Sequence, residues 1–323
     1  SWNEVSVSVS DPEGGNLTPI WQITAPNGFD YGRLQYPNAQ RTLRFFADVS
    51  GLYTVTATVE NSFGSDSCTT QLQTTTSDLI RIELLWNVDH DEQAFGPDCT
   101  DVDLHLLRMP EGPFSYGTED DCFYGNCATC TISYNSSSRE LECRDAIEAA
   151  VENCAEDGVC PAPNEDMNWS GDVEEQPRLD LDDVDGRGPE NINVRAPEPG
   201  TYRLAAHLYG AGYKAAQAVE SNGQLCGDIT IAQAEVRIFC QGAAEWESEI
   251  VPLRFCGSRI NSSFWEIGEI IVAEHEGALS CDDITFHEYG EEGDRVICAQ
   301  GSGKTNGCSA QEITDFQGQT CDP

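Results

Sequence analysis

Apolar and polar residues alternate along several short segments, and this period-two pattern predicts β-strands. In residues 53–59, Tyr53, Val55, Ala57 and Val59 share one face, and threonines occupy most of the other. Glycine-, proline- and aspartate-rich segments at residues 11–15 and 63–66 indicate turns between such strands. The pattern therefore predicts a small β-sandwich over residues 1–77.

A longer series of strand-like segments follows, and it predicts a second, larger β-sandwich over residues 78–281. The clearest of these segments are residues 79–86, 101–107, 200–209, 234–239 and 264–271.

Residues 128–166 within this second unit favour a short helical insertion held by disulfides. Ser137 and Glu140 fit the capping box that begins many helices. The residues that recur at helical spacing after it are Cys143, Ile147, Val151 and Cys154. Residues 282–323 are polar and contain three cysteines, so we expect a cysteine-rich C-terminal tail. The predicted fold class is thus all-β, with two β-sandwich domains in series, a disulfide-stapled helical insertion and this tail.

The chain contains fifteen cysteines, which indicates an oxidising, extracellular location. We expect a disulfide framework among fourteen of them. They are Cys99, Cys122, Cys127, Cys130, Cys143, Cys154, Cys160, Cys226, Cys240, Cys256, Cys281, Cys298, Cys308 and Cys321. Cys68, in the first predicted domain, has no cysteine before it, so we expect its partner to lie in protein that precedes Ser1; an unpaired thiol and a bond to another chain are the alternatives. The chain opens on a strand pattern, and we expect further protein to precede Ser1.

The formal net charge of −39 excludes nucleic acids and anionic membrane surfaces as default partners and favours the binding of cations. No stretch of the sequence approaches the roughly 18 apolar residues of a membrane-spanning helix. The sequence also lacks the G-x-S-x-G and H-E-x-x-H patterns of two large hydrolase groups. These features predict a secreted or cell-surface protein that is not an enzyme.

Clustered aspartates form the strongest candidate ion site, because closely spaced carboxylates repel unless protons or hard cations such as calcium neutralise them. The candidate calcium ligands are Asp98, Asp101, Asp103, Asp120, Asp121, Asp180, Asp182, Asp183 and Asp185. Solvated turns capped by aspartate side chains are the alternative interpretation. An EF-hand is excluded, because Leu181 and Ile192 stand where its first and twelfth ligands would be.

Two histidines suggest a second kind of site. In residues 101–107, Asp101, Asp103 and His105 share the face opposite Leu104 and Leu106, and His207 lies opposite the leucines in residues 202–209. If these two strands are neighbours, the three side chains could bind zinc or another transition metal. The alternative is two histidines that form ordinary hydrogen bonds on a sheet face.

Residues 1–77 resemble PKD-type immunoglobulin-like domains. The matching segments are residues 21–26, 46–55 and 61–66. Such domains serve mostly as spacers or binding modules on extracellular proteins, so the resemblance implies a β-sandwich more firmly than it implies a function.

The second unit resembles a TDVDLHL-type secreted β-sandwich domain of bacterial surface proteins, which often follows PKD-type domains. The matching segments, in order, are residues 85–87, 100–106, 121–127, 168–169, 177–192, 200–207 and 236–240. The resemblance implies a location on the cell surface or in the extracellular matrix. The insertion at 128–166 and the tail after Cys281 depart from the family pattern, so a function specific to this chain is expected there.

The sequence thus predicts a structural or adhesive surface module, stabilised by disulfides and calcium and joined to itself or to other surface proteins in a fibre or larger assembly. A metal- or glycan-binding module is the alternative, with the loops at 98–103 and 180–186 and the exposed Trp169 as contacts. A secreted hydrolase with an unrecognised site is the least favoured interpretation.

Overall fold

The chain forms two compact units, Ser1–Thr76 and Ser77–Pro323, in a computed structural model. The structure describes residues 2–11, 15, 17–26, 35–36, 41–47, 49–76, 78–88, 101–109, 120–128, 130–135, 138–143, 177–180, 182–183, 188–209, 231–254, 261–275, 277–289 and 296–300. These residues form strands and connecting turns and include no helix of seven or more residues, so the prediction of an all-β fold is confirmed.

The first unit contains two three-stranded antiparallel sheets, ordered β1-β4-β3 and β2-β5-β6. The strands are β1 (Trp2–Ser6), β2 (Ile20–Thr24), β3 (Gln35–Tyr36), β4 (Thr42–Phe46), β5 (Gly51–Asn61) and β6 (Gly64–Thr74). Tyr53, Val55 and Ala57 are buried, as their alternation predicted, whereas Val59 is only half-buried. Tyr53 packs on Phe45 of the other sheet with ring centroids 5.7 Å apart, so the two sheets share a core.

The second unit is built on two six-stranded sheets. The first has the order β12-β14-β7-β16-β17, and β18 also pairs with β16. Its strands are β7 (Ile80–Val88), β12 (Arg178–Leu179), β14 (Pro189–Val194), β16 (Ile231–Cys240), β17 (Ala243–Glu247) and β18 (Val251–Arg254). All of its neighbouring strands are antiparallel, which suits the clean alternation of their sequences.

The second six-stranded sheet has the order β20-β19-β15-β8-β9, and β21 also pairs with β19. Its strands are β8 (Asp101–Arg108), β9 (Asp121–Cys122), β15 (Gly200–Tyr209), β19 (Asn261–Val272), β20 (Ile284–Glu288) and β21 (Val296–Gln300). The five long strands predicted from alternation are therefore all present. Two strands, β20 and β21, also lie in the expected C-terminal tail. The long strand β19 pairs with β20 along one half and with β21 along the other.

A single apolar core lies between these two sheets. Leu84 and Val236 enter it from the first sheet, and Leu104 and Leu204 enter it from the second. The fully buried Trp86 packs so closely over Gly188 that an added Cβ there would lie 1.7 Å from its ring. A side chain at position 188 would displace Trp86, which explains the glycine.

A smaller three-stranded sheet, ordered β11-β10-β13, replaces the start of the predicted helix. Its strands are β10 (Cys130–Asn135), β11 (Ser138–Cys143) and β13 (Asp182–Asp183). The helix prediction was wrong over residues 138–143, where Leu141 alternates with Glu140 and Glu142 as in a strand. Residues 144–166, the remainder of the expected insertion, lie outside the described residues.

Among the described residues, two disulfides involve four of the fourteen candidate cysteines. Cys122 bonds Cys127 across a turn, and Cys240 of β16 bonds Cys281 beside β20, which links the two large sheets. Cys68 lies exposed on β6 and has no disulfide partner among the described residues. Cys130, Cys143 and Cys298 lie on β10, β11 and β21. The remaining candidates, Cys99, Cys154, Cys160, Cys226, Cys256, Cys308 and Cys321, lie outside the described residues.

Within the part of the chain described here, no helix has the length and apolar character needed to span a bilayer.

Candidate metal centre

Strands β8 and β15 are antiparallel neighbours, which meets the condition on which the predicted histidine site depended. Their register places Asp103 directly opposite His207 and places His105 opposite Ala205. Because alternate residues of a strand share a face, Asp101, Asp103 and His105 lie with His207 on the side of the sheet away from the apolar core.

This outward face is nevertheless buried. Asp103 is 1% exposed, His105 is fully buried and His207 is 7% exposed. The imidazole of His105 stacks on Phe123, and both histidines pack against Phe264, with ring centroids 5.4–5.7 Å apart. The aromatic rings exclude water from the histidine side of the cluster and hold the imidazoles in place.

Asp103, His105 and His207 form the first candidate metal-binding group, in which one ligand atom from each lies within 4.8 Å of the others. Nδ1 of His105 donates to Oδ2 of Asp121 at 2.7 Å. Nε2 of His105 would therefore be the nitrogen that binds a metal, as in the carboxylate–histidine–metal arrangement common to metal sites. Asp121 acts here as a hydrogen-bond partner of a ligand.

Asp101, Asp103 and Asp182 form a second candidate group, again with ligand atoms within 4.8 Å of one another. Asp182 comes from β13, which the small sheet brings to the edge of β8. Oδ2 of Asp103 is buried and has no hydrogen-bond partner among the described residues. Leaving a buried carboxylate oxygen unbonded costs free energy, and a bound cation would remove that cost.

Burial and electrostatic repulsion both act on the ionisable groups of the cluster. Burial, together with the like charges of Asp101, Asp182 and Asp121, raises the pKa of Asp103 well above its usual value. Burial, and secondarily the neighbouring His105, lowers the pKa of His207 to about 3. His207 is consequently neutral at physiological pH, so it is available as a metal ligand and contributes no charge that would offset the carboxylates.

Glu190, which the sequence reasoning did not select, supports the site from the opposite sheet. Its two carboxylate oxygens accept the backbone N–H groups of Leu104 at 2.7 Å and of Asp183 at 3.3 Å. Burial and the charge of Asp103 raise its pKa well above the ordinary value. A sequence signal was available, because Glu190 shares a strand face with Ile192 and Val194, where an apolar residue is expected.

A short disulfide-closed turn supplies Asp121 and Phe123. Asn126 stabilises it, since Nδ2 of Asn126 donates to the Asp121 carbonyl at 2.7 Å and its Oδ1 accepts from the Phe123 N–H at 3.3 Å. The disulfide between Cys122 and Cys127 closes the same turn. The segment 121–127 thus forms a rigid support for His105.

The other predicted ligands lie elsewhere. Asp180 is ion-paired with Arg178 at 2.9 Å and with Arg81 at 3.4 Å. Burial alone would raise its pKa, but these two arginines outweigh burial and lower it. Asp120 is half-buried in the turn before β9 and Asp183 is buried beside Glu190, and neither belongs to the two groups. Asp98, Asp185 and Trp169 lie outside the described residues.

No protein-family model matches this chain, and a search of curated proteins found no similar protein.

The two groups differ in chemistry. Two imidazoles and a carboxylate suit zinc and other first-row transition metals, whereas three carboxylates suit hard cations such as calcium. Both sets of ligands lie on β-strands, so the geometry of the site does not require a loop to become ordered.

Proposed function

We propose that this chain is a structural module of an extracellular surface protein, and that a buried metal centre at Asp103 stabilises its larger β-sandwich. The observation that carries the proposal is the convergence of Asp103, His105 and His207 from two strands, with Oδ2 of Asp103 buried and without a hydrogen-bond partner among the described residues.

The burial of the ligands favours a structural role over a catalytic one. A catalytic ion keeps a coordination position open to substrate, whereas structural ions are enclosed by protein ligands. Asp103, His105 and His207 are all at most 7% exposed. An ion bound there would join β8 to β15, and through Asp182 it would also join them to β13, so its main effect would be on folding stability.

The acidic composition and the disulfides support an extracellular location for this module. We propose that the chain assembles into a fibre or larger structure, and that Cys68 forms a covalent link to another chain. Cys68 lies exposed in the middle of β6, at the edge of its sheet. Dimers on a non-reducing gel that disappear in C68S would support this linkage, and a monomer under both conditions would oppose it.

Metal content and thermal stability test the metal centre. We expect protein purified without chelator to contain calcium, zinc or both, and its Tm to fall in EDTA and recover when those ions are restored. An ion present at 100 times its Kd stabilises a folded protein by about 2.7 kcal/mol.

Asp103→Asn is the decisive variant. Since it removes a ligand and also relieves repulsion among buried carboxylates, we expect it to match or exceed the wild type in EDTA and to gain nothing from added metal. Glu249→Gln, which changes an exposed carboxylate, is the control and should respond to metal as the wild type does. A wild-type Tm unaffected by EDTA, with no metal detected, would overturn the proposal.

A further inference from the structure

The candidate metal centre has two halves that meet at one carboxylate. Asp103 alone belongs to both groups, with His105 and His207 in one and with Asp101 and Asp182 in the other. Asp101 and His105 flank Asp103 on the same face of β8. Because alternate residues of a strand are about 7 Å apart, the two halves lie on opposite sides of the Asp103 carboxylate.

A carboxylate has two oxygens with about four lone-pair positions, so it can bind two ions at once. Bridged pairs of metal ions in proteins are typically about 3.5–4 Å apart. The spacing of the ligand atoms within each group, 4.8 Å or less, is small enough for each group to surround one ion.

Negative charge also accumulates at the cluster. Ligand atoms of Asp101, Asp103 and Asp182 lie within 4.8 Å of one another, and Asp121 is bonded to the adjacent His105. Two divalent cations would offset more of this negative charge than one.

We infer that the centre binds two different ions bridged by Asp103, a transition-metal ion at Asp103, His105 and His207 and a calcium-like hard cation at Asp101, Asp103 and Asp182. This inference rests on the proposed metal centre and adds its stoichiometry, its two ion classes and their coupling. Because the ions share a ligand, occupation of one position alters the coordination and the affinity of the other.

The test uses Co²⁺ as a visible-absorbing transition-metal probe and Ca²⁺ as the hard cation, each titrated alone and in the presence of the other. We expect one Co²⁺ and one Ca²⁺ to bind per chain. We also expect saturating Ca²⁺ to shift the absorption bands of bound Co²⁺.

Three conservative variants separate the positions. His207→Gln should weaken Co²⁺ binding about tenfold or more and change Ca²⁺ binding by less than about threefold, and Asp182→Asn should do the reverse. Asp103→Asn should weaken both ions about tenfold or more. Asp180→Asn is the matched control, since this half-buried aspartate in the same segment is paired with arginines and should leave both affinities unchanged. A circular dichroism spectrum of each variant establishes that it is folded.

The outcomes separate the two proposals. If Co²⁺ and Ca²⁺ compete for one position, or if Asp103→Asn weakens only one of them, the two-ion inference is wrong and the metal centre itself stands. If the wild type binds neither ion, both proposals are overturned.

Discussion

His105 is hydrogen-bonded to Asp121 at 2.7 Å, and both side chains are fully buried beside Asp103. Asp121 fixes which nitrogen of His105 carries the proton and therefore which one would bind a metal. The pair connects His105 on β8 to a turn that is closed by its own disulfide, so the orientation of the imidazole depends on residues outside the two candidate metal-binding groups.

Asp121→Asn should therefore weaken transition-metal binding without removing a ligand. Loss of the carboxylate weakens the hydrogen bond that orients His105, and a 10- to 100-fold loss of metal affinity is typical of such changes. Competition against a chromophoric zinc chelator measures the change. Asp120→Asn alters the adjacent carboxylate, which is in neither metal-binding group, and should behave as the wild type. Equal zinc affinities in both variants would contradict the assigned role of Asp121.

Glu190 should contribute to stability through the two backbone groups that it bonds. Glu190→Ala leaves the N–H groups of Leu104 and Asp183 without their acceptor, at about 1–3 kcal/mol each. Relief of carboxylate repulsion offsets part of this cost, so we expect a net destabilisation of about 2–4 kcal/mol. Glu190→Gln keeps one acceptor oxygen and should lose about half as much.

Urea unfolding at fixed calcium and zinc concentrations tests this order. Glu288→Ala, which removes an exposed glutamate from β20, is the control and should change stability by less than about 0.5 kcal/mol. Equal stability of Glu190→Ala and the wild type would show that the two hydrogen bonds do not matter.

The buried Arg81 holds a second polar cluster, separate from the metal centre. Its Nε donates to Oε1 of Glu83 at 2.6 Å, and its Nη1 donates to Oδ1 of Asn193 at 3.0 Å. Arg81→Met removes the guanidinium that bonds the fully buried Glu83, and we expect a loss of about 3–5 kcal/mol. The double variant R81M/E83L should lose much less, because it removes both charges of this pair.

A double-mutant cycle on the free energy of unfolding measures this coupling. R81M/E83L should be more stable than R81M alone, and the opposite order would contradict the assignment. Zinc and calcium affinities should stay unchanged in R81M, since the hydrogen bonds described for Arg81 are to residues outside the two metal-binding groups.

The two disulfides should have different effects. The Cys240–Cys281 bond closes a loop with a sequence separation of 41, and the Cys122–Cys127 bond closes one of 5. Loop-closure entropy gives about 4 kcal/mol for the first and about 2 kcal/mol for the second. C240A/C281A should thus cost more stability, whereas C122A/C127A should cost more zinc affinity because it loosens the turn that holds Asp121.

Urea unfolding and zinc competition on both double variants check this crossed pattern, with each variant serving as the control for the other. If C240A/C281A reduced zinc affinity as strongly as C122A/C127A, the proposal that the short turn acts locally on His105 would be wrong.

Much of the candidate metal centre could be predicted from the sequence. Asp103 and His105 lie two positions apart and opposite Leu104 and Leu106, and His207 lies opposite Leu204 and Leu208 of its own strand. Alternation alone therefore assigned these side chains to the right faces. Alternation could not show that the two strands are neighbours, because strand pairing is a long-range contact that no local pattern specifies.

The helix predicted from residue 137 onward shows where local patterns mislead. Ser137 and Glu140 have the spacing of a capping box, but Leu141 between two glutamates fits a strand equally well. Pairing with β10 decided between them, because backbone hydrogen bonds along a neighbouring strand outweigh a weak local preference.

The sequence by itself determined that this chain is built of strands, which side chains share a face, and that its surface chemistry is acidic. These properties follow from the two-residue period of a strand and from composition, and both are local. Tertiary structure alone decided which aspartates act together. It placed Asp182 beside Asp103 and Asp180 among arginines, although the two lie two positions apart, because each side chain's neighbours come from distant segments that only the folded sheets bring together.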